Sequence, residues 1–292
     1  MADQGSLILL LQGGLGNQLL QLALAETLAE VFDRELVGST VLLDSRSRRL
    51  RGLTARSISP VLRACLHCVP SPWTHHLPAR LLSRLADPII SGVLTDRSLL
   101  AAVRQPPLLD RLARVRVIHS HATHPALFGP EFSAAWRGIQ QAVLSHRRGR
   151  APKLALHVRR TDYLNTRSGF HVLGEPYYRA ALECALASGG HAGAGSPLLV
   201  NVFSDDPAWC SAYLQDPRWR LEFSGGSPEQ DLAAMAQAET LITGNSSLSA
   251  VAAHLAQLRD PLTRVITPER WLLKDDGRLG DLRKLGWQVV SA

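Results

Sequence analysis

Residues 154–162 read LALHVRRTD, a mostly apolar run followed at once by two arginines and, after a threonine, an aspartate. A short apolar run of this kind is typical of a strand covered on both faces of a parallel sheet. Helical spacing follows at residues 176–187, and a second strand-like run, LLVNVF, occupies residues 198–203. This order of strand, charged loop, helix and strand predicts a parallel α/β fold.

The same alternation continues on both sides of this stretch. Strands are predicted at residues 6–12, 240–243 and 264–267, and helices at 19–31, 208–214, 231–239 and 247–258. The basic segment HRRGRAPK at 146–153 contains Gly149 and Pro152, which is typical of a linker between domains. It divides the chain into two nearly equal halves, whereas residues 44–110 show no regular pattern.

Composition excludes several classes of protein. Of 292 residues, 46% are hydrophobic and 20% are charged, as in folded globular proteins. Four cysteines are too few for a disulfide scaffold. The longest apolar run, residues 7–11, is too short to span a bilayer, and the N-terminus lacks the basic start of a signal peptide. We therefore expect a cytoplasmic protein.

The chain is basic, with a net charge of +7, and only Lys153, Lys274 and Lys284 among its 32 basic residues are lysines. Such a charge favours polyanionic partners, namely nucleic acid, anionic lipid or phosphorylated ligands. An arginine-rich chain with few lysines is also what a GC-rich genome produces. The overall charge therefore leaves both explanations open.

Two motifs follow predicted strands and contain groups that bind anions. Gly13-Gly14-Leu15-Gly16-Asn17-Gln18 lies between a strand and a helix, where backbone N–H groups can approach a phosphate. A tight turn that needs glycine would look the same. His157-Val158-Arg159-Arg160-Thr161-Asp162 offers arginine, which binds phosphate oxygens in a bidentate manner, and a carboxylate that can orient it or take a proton. A surface turn is the alternative.

Two further loops follow strands in the second half. Ser204-Asp205-Asp206 offers carboxylates for a ribose or a guanine edge, or a cap for the helix that begins at Pro207. Gly244-Asn245-Ser246-Ser247 offers hydroxyls and free N–H groups at a helix start, which either bind an anion or only cap the helix. Ligands of open α/β sheets bind at the carboxyl ends of strands. Together the four loops indicate a bound nucleoside diphosphate.

In the order GGLGNQLLQ, HVRRTDY, FSDDPAWC and TGNSSLSAVAAHL, these motifs resemble glycosyltransferase family 11, the α-1,2-fucosyltransferases that use GDP-fucose. The resemblance runs from residue 12 to about 272 and is weak between about 60 and 150. It implies an α/β fold of GT-B architecture, in which two Rossmann-like halves face across a cleft. Residues 1–149 would form the acceptor-side domain and residues 150–292 the GDP-fucose-binding domain.

The resemblance also implies roles for individual residues. Arg159 would hold the β-phosphate of GDP, and His157 and Asp205 would contact the guanosine. Asp162 is implied as the base or relay for the acceptor hydroxyl, so that Arg159, Asp162 and His157 form the catalytic set. The residues expected to close around the pyrophosphate are Gly14, Gly16, Asn17, Asn245, Ser246 and Ser247.

The implied reaction is an inverting transfer of fucose from GDP-fucose to the 2-hydroxyl of a terminal galactoside, without a metal or other cofactor. No Asp-x-Asp pair, the usual metal-holding motif of the other glycosyltransferase architecture, occurs in the sequence. The acceptor would be a galactose-terminated oligosaccharide or a lipid-linked glycan, and the arginines could bring the protein to the inner face of a membrane.

Some features leave other functions open. Residues 247–251 read SLSAV where the family usually has an aromatic run, which puts the acceptor and the sugar in doubt. The alternatives are a transferase for another GDP-sugar or acceptor, and a non-catalytic nucleotide-binding relative. Nucleic-acid binding is disfavoured because the arginines of the motif sit at a strand end. His119, His121 and His124 could line the acceptor side of a cleft, or could be surface or core histidines.

Overall fold

A computed structural model of the chain describes residues 5–39, 43, 59–65, 92–165, 169–187, 197–273 and 285–291. These residues form two compact units, Met1–Ala142 and Val143–Ala292. The division falls inside a helix, a few residues before the linker that the sequence indicates at 146–153. Each unit is built on its own parallel sheet with helices between the strands.

The N-terminal unit contains a four-stranded sheet in the order β2-β1-β4-β3, with every described pair of strands parallel. β1 lies in its interior, as its run of leucines and isoleucine predicts. The strands are β1 (Leu7–Leu10), β2 (Leu36–Ser39), β3 (Val93–Thr95) and β4 (Val117–His119). The helices are α1 (Leu15–Val31), α2 (Pro60–Cys65), α3 (Asp96–Val103), α4 (Leu108–Leu112) and α5 (Ser133–Leu144), with short 3-10 turns at Pro125–Phe128 and Pro130–Phe132.

The C-terminal unit contains a six-stranded parallel sheet in the order β10-β9-β8-β5-β6-β7. Its strands are β5 (Leu154–Val158), β6 (Leu198–Ser204), β7 (Trp219–Phe223), β8 (Thr240–Ile242), β9 (Arg264–Pro268) and β10 (Gln288–Val290). Its helices are α6 (Glu175–Ala187), α7 (Pro207–Tyr213), α8 (Pro228–Met235) and α9 (Ser247–Arg259). Counted within this unit, the strands run 6-5-4-1-2-3, which is the Rossmann order.

The central strand of this sheet is fully covered. All five residues of β5 are buried, and Tyr177 and Tyr178 of α6 pack in the same core. Burial on both faces of the strand therefore explains the continuous apolar run at 154–158, as the sequence predicts. The predicted α/β class with two Rossmann-like halves is confirmed, while their arrangement across a cleft stays a prediction.

Some boundaries differ from the prediction. α1 begins at Leu15 and not at residue 19, because Gly14 adopts an extended conformation and starts the helix there. α8 begins at Pro228, where Ser227 and Gln230 form a reciprocal capping box. In the part of the chain that the structure describes, no helix is long and apolar enough to cross a membrane.

Candidate functional site

Three of the loops identified in the sequence follow strands β5, β6 and β8, at the carboxyl ends of the strands of the C-terminal sheet. At the end of β5, Val158 pairs with Ser204 of β6, and Leu156 pairs with Ile242 of β8. The strand order reverses between β5 and β8, and such a switch point is where open α/β sheets bind ligands. The loops that begin there are residues 159–162, 205–206 and 244–247.

Asp205 holds the loop after β5 in place. Its Oδ1 accepts a hydrogen bond from the backbone N–H of Arg160 at 2.9 Å. Its Oδ2 accepts from the N–H of Thr161 at 3.3 Å and from the Thr161 hydroxyl at 2.6 Å. Both oxygens are thus engaged within the protein, so Asp205 can contribute to a ligand site through the shape of this loop. Its direct contact with guanosine stays a prediction.

Arg159 stands between two carboxylates. Its guanidinium lies 3.1 Å from Oδ2 of Asp205 and donates a hydrogen bond to Oδ2 of Asp162 at 2.8 Å. Partial burial would lower the pKa of Arg159, but the hydrogen bond and charge of Asp162 and the charge of Asp205 raise it. Its side chain is 30% exposed and that of Asp162 is 49% exposed. Arg159 is therefore a fixed cation with access to solvent.

Arg160 points away from this edge, in keeping with the alternation of side chains along a strand. Its guanidinium lies 3.9 Å from the centroid of the Trp209 ring and donates to the carbonyl of Leu173 at 3.0 Å. It also lies 3.5 Å from Oδ2 of Asp206. Arg160 therefore joins the end of β5 to α7, and its charge is used inside the protein.

Asp206 caps α7, one of the two roles that the sequence left open for the Asp pair. Its Oδ1 accepts from the N–H of Trp209 at 3.1 Å, and Pro207 occupies the first helical position. The hydroxyl of Ser204 accepts from the N–H of Asp206 at 2.9 Å. Asp205 thus shapes the β5 loop, and Asp206 caps the start of α7.

His157 is buried on β5 with 5% exposure. Burial and the positive charge of Arg159 lower the pKa of its imidazole to about 4, although the charge of Asp205 acts in the opposite direction. Its Nδ1 has no hydrogen-bond partner among the described residues. His157 is thus a neutral imidazole with a buried nitrogen left unpaired, which is unusual without a ligand or water.

Gly244 makes room for this histidine, a role that sequence reasoning missed. A Cβ at position 244 would lie 3.1 Å from the carbonyl oxygen of His157, 3.3 Å from its Nδ1 and 3.6 Å from the N of Arg159. The first two distances are tighter than most Cβ contacts. The end of β8 therefore reaches the end of β5 only because residue 244 has no side chain.

The start of α9 combines structural bonds with free donors. Asn245 is fully buried, and its amide donates to the carbonyls of His171 at 2.6 Å and Trp271 at 2.9 Å. Ser246 caps the helix by accepting from the N–H of Leu248 at 3.3 Å. The first N–H groups of a helix have no acceptor inside it, so the N–H and the part-buried hydroxyl of Ser247 are placed to bind an anion.

Tyr163, the last residue of the HVRRTDY motif, connects the β5 loop to this helix start, a role that the motif alone did not reveal. Its hydroxyl donates to the carbonyl of Asn245 at 3.0 Å, and its ring stacks on Phe170 at 4.3 Å between centroids. Burial raises the pKa of the phenol above its ordinary value, against the opposing charge of Arg159. The side chain therefore acts as a neutral donor that fixes two ligand-facing loops together.

The glycine-rich motif lies in the N-terminal unit. Gly13 has a φ of 78°, and a Cβ there would clash with the side chain of Asn17. The buried amide of Gln18 donates to the carbonyl of Gly13 at 3.1 Å. Gln21 exchanges two hydrogen bonds with the backbone of Gln12, at 3.0 and 3.1 Å. The two glutamines thus explain the shape of GGLGNQLLQ, and they leave the N–H groups at the start of α1 unused by side-chain caps.

The predicted site residues therefore fall into two groups. Those at the switch point of the C-terminal unit are His157, Arg159, Asp162, Asp205, Asn245, Ser246 and Ser247. Gly14 caps α1, and Gly16 and Asn17 lie in its first turn and not in the preceding loop. Within the described ranges, no group of three or more His, Cys, Asp and Glu side chains is arranged to hold a metal ion.

Residues 131–271 match the model of glycosyl transferase family 11. We call residues 131–271, just under half of the chain, the family 11 segment. The family 11 segment contains the loops after β5, β6 and β8, and with them every residue of the switch-point group. The glycine-rich motif at 13–18 lies outside it. No match was found among curated protein sequences.

The chain is also similar in structure to several solved transferases. Fucosyltransferase NodZ from Bradyrhizobium is 14% identical, with 86% of this chain and 92% of that one covered and a TM-score of 0.46. E. coli heptosyltransferase WaaC with ADP is 14% identical, with 98% and 93% covered and a TM-score of 0.47. A variant of Arabidopsis thaliana FUT1 in complex with GDP is 11% identical, with 91% and 70% covered and a TM-score of 0.46.

Proposed function

We propose that the protein transfers fucose from GDP-fucose to the 2-hydroxyl of a terminal galactoside, with inversion and without a metal ion. The family 11 segment supports a glycosyltransferase. The choice of GDP-fucose and of the 2-hydroxyl rests on the resemblance of the four motifs to the α-1,2-fucosyltransferases. Transfer from another GDP-sugar, or to another acceptor, is the alternative.

One observation carries the proposal: a permanently charged arginine stands at the switch point, beside a helix start with free donors. Arg159 is held by Asp205 and Asp162, and Tyr163 connects its loop to the carbonyl of Asn245. Cleavage of the bond between C1 of the sugar and the phosphate oxygen leaves extra negative charge on GDP. Fixed donors that await this charge lower the barrier without reorganising during the reaction.

In the donor site that we propose, each residue has the role that the motifs imply. Arg159 binds the β-phosphate, while Ser246, Ser247 and the start of α9 bind the pyrophosphate. The neutral imidazole of His157 offers its unpaired nitrogen to the nucleoside. Gly14, Gly16 and Asn17 belong to the N-terminal unit, and their part in binding the pyrophosphate stays a prediction from the motif.

Charge balance predicts a rearrangement on binding. The loops contain Arg159 and Arg160 but also Asp162, Asp205 and Asp206, so their formal charge is negative. This negative charge would repel a diphosphate unless one of the carboxylates moved away from Arg159. Asp162 is half exposed and held only through Arg159 in the described contacts, so we expect it to give up this arginine to the phosphate.

The first test is calorimetric titration of the purified protein with GDP, ADP and UDP in the presence of EDTA. We expect GDP to bind more tightly than the other two, and binding to fail in Arg159→Ala. Arg218→Ala is the matched control, because Arg218 is also an arginine of the C-terminal unit paired with carboxylates, at Asp216 and Glu183. It should bind GDP like the wild type.

The second test is turnover of GDP-fucose with galactose-terminated oligosaccharides, followed by NMR of the product linkage. Loss of one preorganised donor removes about 2.7–4 kcal/mol of transition-state stabilisation, so Arg159→Ala should lower kcat at least about 100-fold. Near-normal turnover of a folded Arg159→Ala protein would contradict the role of this arginine. No GDP preference, or a requirement for added metal, would contradict the proposed donor site.

A further inference from the structure

The outermost strand of the C-terminal sheet, β7, has an open edge. In the sheet order β10-β9-β8-β5-β6-β7 it pairs with β6, and no other described strand pairs with it. β6 lies between β7 and the switch point. A strand with an open edge is a template for pairing with another strand, and proteins commonly block such edges with lysine, proline or a bulge. The sequence of β7, WRLEF, contains neither lysine nor proline.

The contacts at the ends of β7 show which of its backbone groups face the open edge. The carbonyl of Arg218, just before the strand, accepts from an N–H of β6 at 2.9 Å. The N–H of Ser224, just after the strand, donates to a carbonyl of β6 at 2.9 Å. Backbone groups alternate between the two edges of a strand. Those of Trp219, Leu221 and Phe223 therefore point away from β6, toward the open edge.

The side chains of β7 form one apolar and one charged stripe, because they alternate between the two faces of the sheet. Trp219 is buried and Leu221 is half-buried in the core shared with α7, and Phe223 follows on the same face with 36% exposure. Arg220 and Glu222 are exposed on the opposite face. Among the described residues, Arg220 has no ion-pair partner, so both side chains remain available for charges outside the chain.

This pattern is complementary to itself when two copies of the strand run antiparallel. With Leu221 opposite Leu221 of a second copy, each Arg220 faces a Glu222, and each Trp219 faces a Phe223. The outward N–H and carbonyl of the two Leu221 residues then exchange a pair of hydrogen bonds. Opposite charges facing each other across an antiparallel pair are favourable, and like charges are not. A two-fold axis at Arg220 or at Glu222 would place like charges opposite each other.

A groove beside β7 lies where an aromatic ring of the second copy would be placed. It has a volume of about 540 Å³ and is lined by Ser211 and Gln215, in and just after α7, and by Trp219, Leu221 and Phe223. In the register centred on Leu221, Phe223 of the second copy lies beside Trp219, on the face of the sheet that contains this groove. Insertion of the ring would remove its exposed apolar surface from water.

We propose that two copies of the protein associate through their β7 strands, paired antiparallel about a two-fold axis at Leu221. The two C-terminal sheets then form one continuous sheet, and the contact is the same on both copies. This inference is independent of the proposed function. A five-residue strand is short beside the surface of about 1,200–2,000 Å² that stable complexes bury, so we expect a reversible dimer with a micromolar Kd.

Charge variants test both the surface and the register. Arg220→Glu gives the stripe two acidic side chains and Glu222→Arg gives it two basic ones, so each variant alone places like charges opposite each other. An equimolar mixture of the two variants restores both opposite-charge pairs, and so does the double variant in a single chain. Arg137→Glu is the matched control, because it makes the same change of charge at an exposed position of α5.

The measurement is sedimentation velocity of the full-length proteins at low ionic strength, from about 1 to about 300 μM, with circular dichroism to check the fold. We expect the wild type and Arg137→Glu to pass from monomer to dimer. Each single charge variant should raise the dimer Kd at least about 10-fold. The mixture and the double variant should dimerise like the wild type. Phe223→Ser should weaken the dimer without a change of charge.

The outcomes separate this surface from others. A wild type that stays monomeric over the whole range would overturn the proposal. Self-association that Arg220→Glu, Glu222→Arg and Phe223→Ser leave unchanged would also overturn it, because another surface would then be the interface. Folded single variants that lose self-association but do not associate when mixed would contradict the antiparallel register, and the proposal with it.

Discussion

Replacement of Asp205 by asparagine tests whether this carboxylate shapes the β5 loop or reads the guanine base. Asparagine keeps the size of the side chain but has one acceptor oxygen and one NH₂ group. Oδ2 of Asp205 faces three donors, on Arg159 and Thr161, and Oδ1 faces the N–H of Arg160. In either orientation of the asparagine amide, its NH₂ group faces at least one hydrogen-bond donor, from which it cannot accept.

The size of the effect follows from these contacts. With its oxygen toward Thr161, the asparagine leaves the part-buried N–H of Arg160 without an acceptor, which costs about 1–3 kcal/mol. The partly exposed ion pair with Arg159 adds less than about 1 kcal/mol. We therefore expect Asp205→Asn to lower the free energy of unfolding of the C-terminal unit by about 1–4 kcal/mol, and GDP affinity by about 10- to 100-fold.

Asp206→Asn is the matched control, since asparagine is as good a helix cap as aspartate and the change should cost about 1 kcal/mol or less. The assays are denaturant unfolding followed by tryptophan fluorescence, and calorimetry with GDP and with inosine diphosphate, which lacks the 2-amino group of guanine. A loop-shaping role predicts equal losses for the two nucleotides. A loss confined to GDP, or equal stability of the two variants, would refute the reasoning.

Three further predictions concern the same edge of the sheet. Gly244→Ala should destabilise the protein by about 1–3 kcal/mol in thermal unfolding and weaken GDP binding, because its Cβ crowds His157; an unchanged Tm would contradict this. Asp162→Asn should raise GDP affinity in calorimetry by freeing Arg159, and weaker binding would oppose that role. The free energy of unfolding should fall between pH 7 and pH 5. Burial lowers the pKa of His157 and of His254 from 6.5 to about 4. As the pH falls, these imidazoles therefore take up protons in the unfolded chain before they do so in the folded protein. Each histidine contributes about 2 kcal/mol to this fall, and His254→Leu should remove its share.

The sequence was sufficient for the elements whose apolar residues are buried. β5, β6 and α9 lie where periodicity predicts them, since burial on both faces produces continuous apolar runs. The edge strand β7 was missed because most of its side chains are exposed, so WRLEF at 219–223 has no clear pattern. Exposed edges receive few constraints from the core, and their sequences carry correspondingly little information.

The site was predicted as a set of residues but not as a set of contacts. The motifs located Arg159 and Asp205, yet nothing in the spacing showed that Asp205 receives the Arg160 and Thr161 N–H groups of a different strand. Contacts between loops depend on strand order, which periodicity does not give.

The strand order has a consequence for how the protein folds. β5 acquires its two neighbours from distant parts of the chain: Ala155 pairs with Asn201, and Leu154 pairs with Thr240. Such long-range pairings form late, since the chain between them must first be closed into a loop. The three loops at the switch point therefore gain their geometry only when β8 docks. We expect nucleotide affinity to appear as the last event of refolding, and a fragment that ends before β8 to bind no GDP.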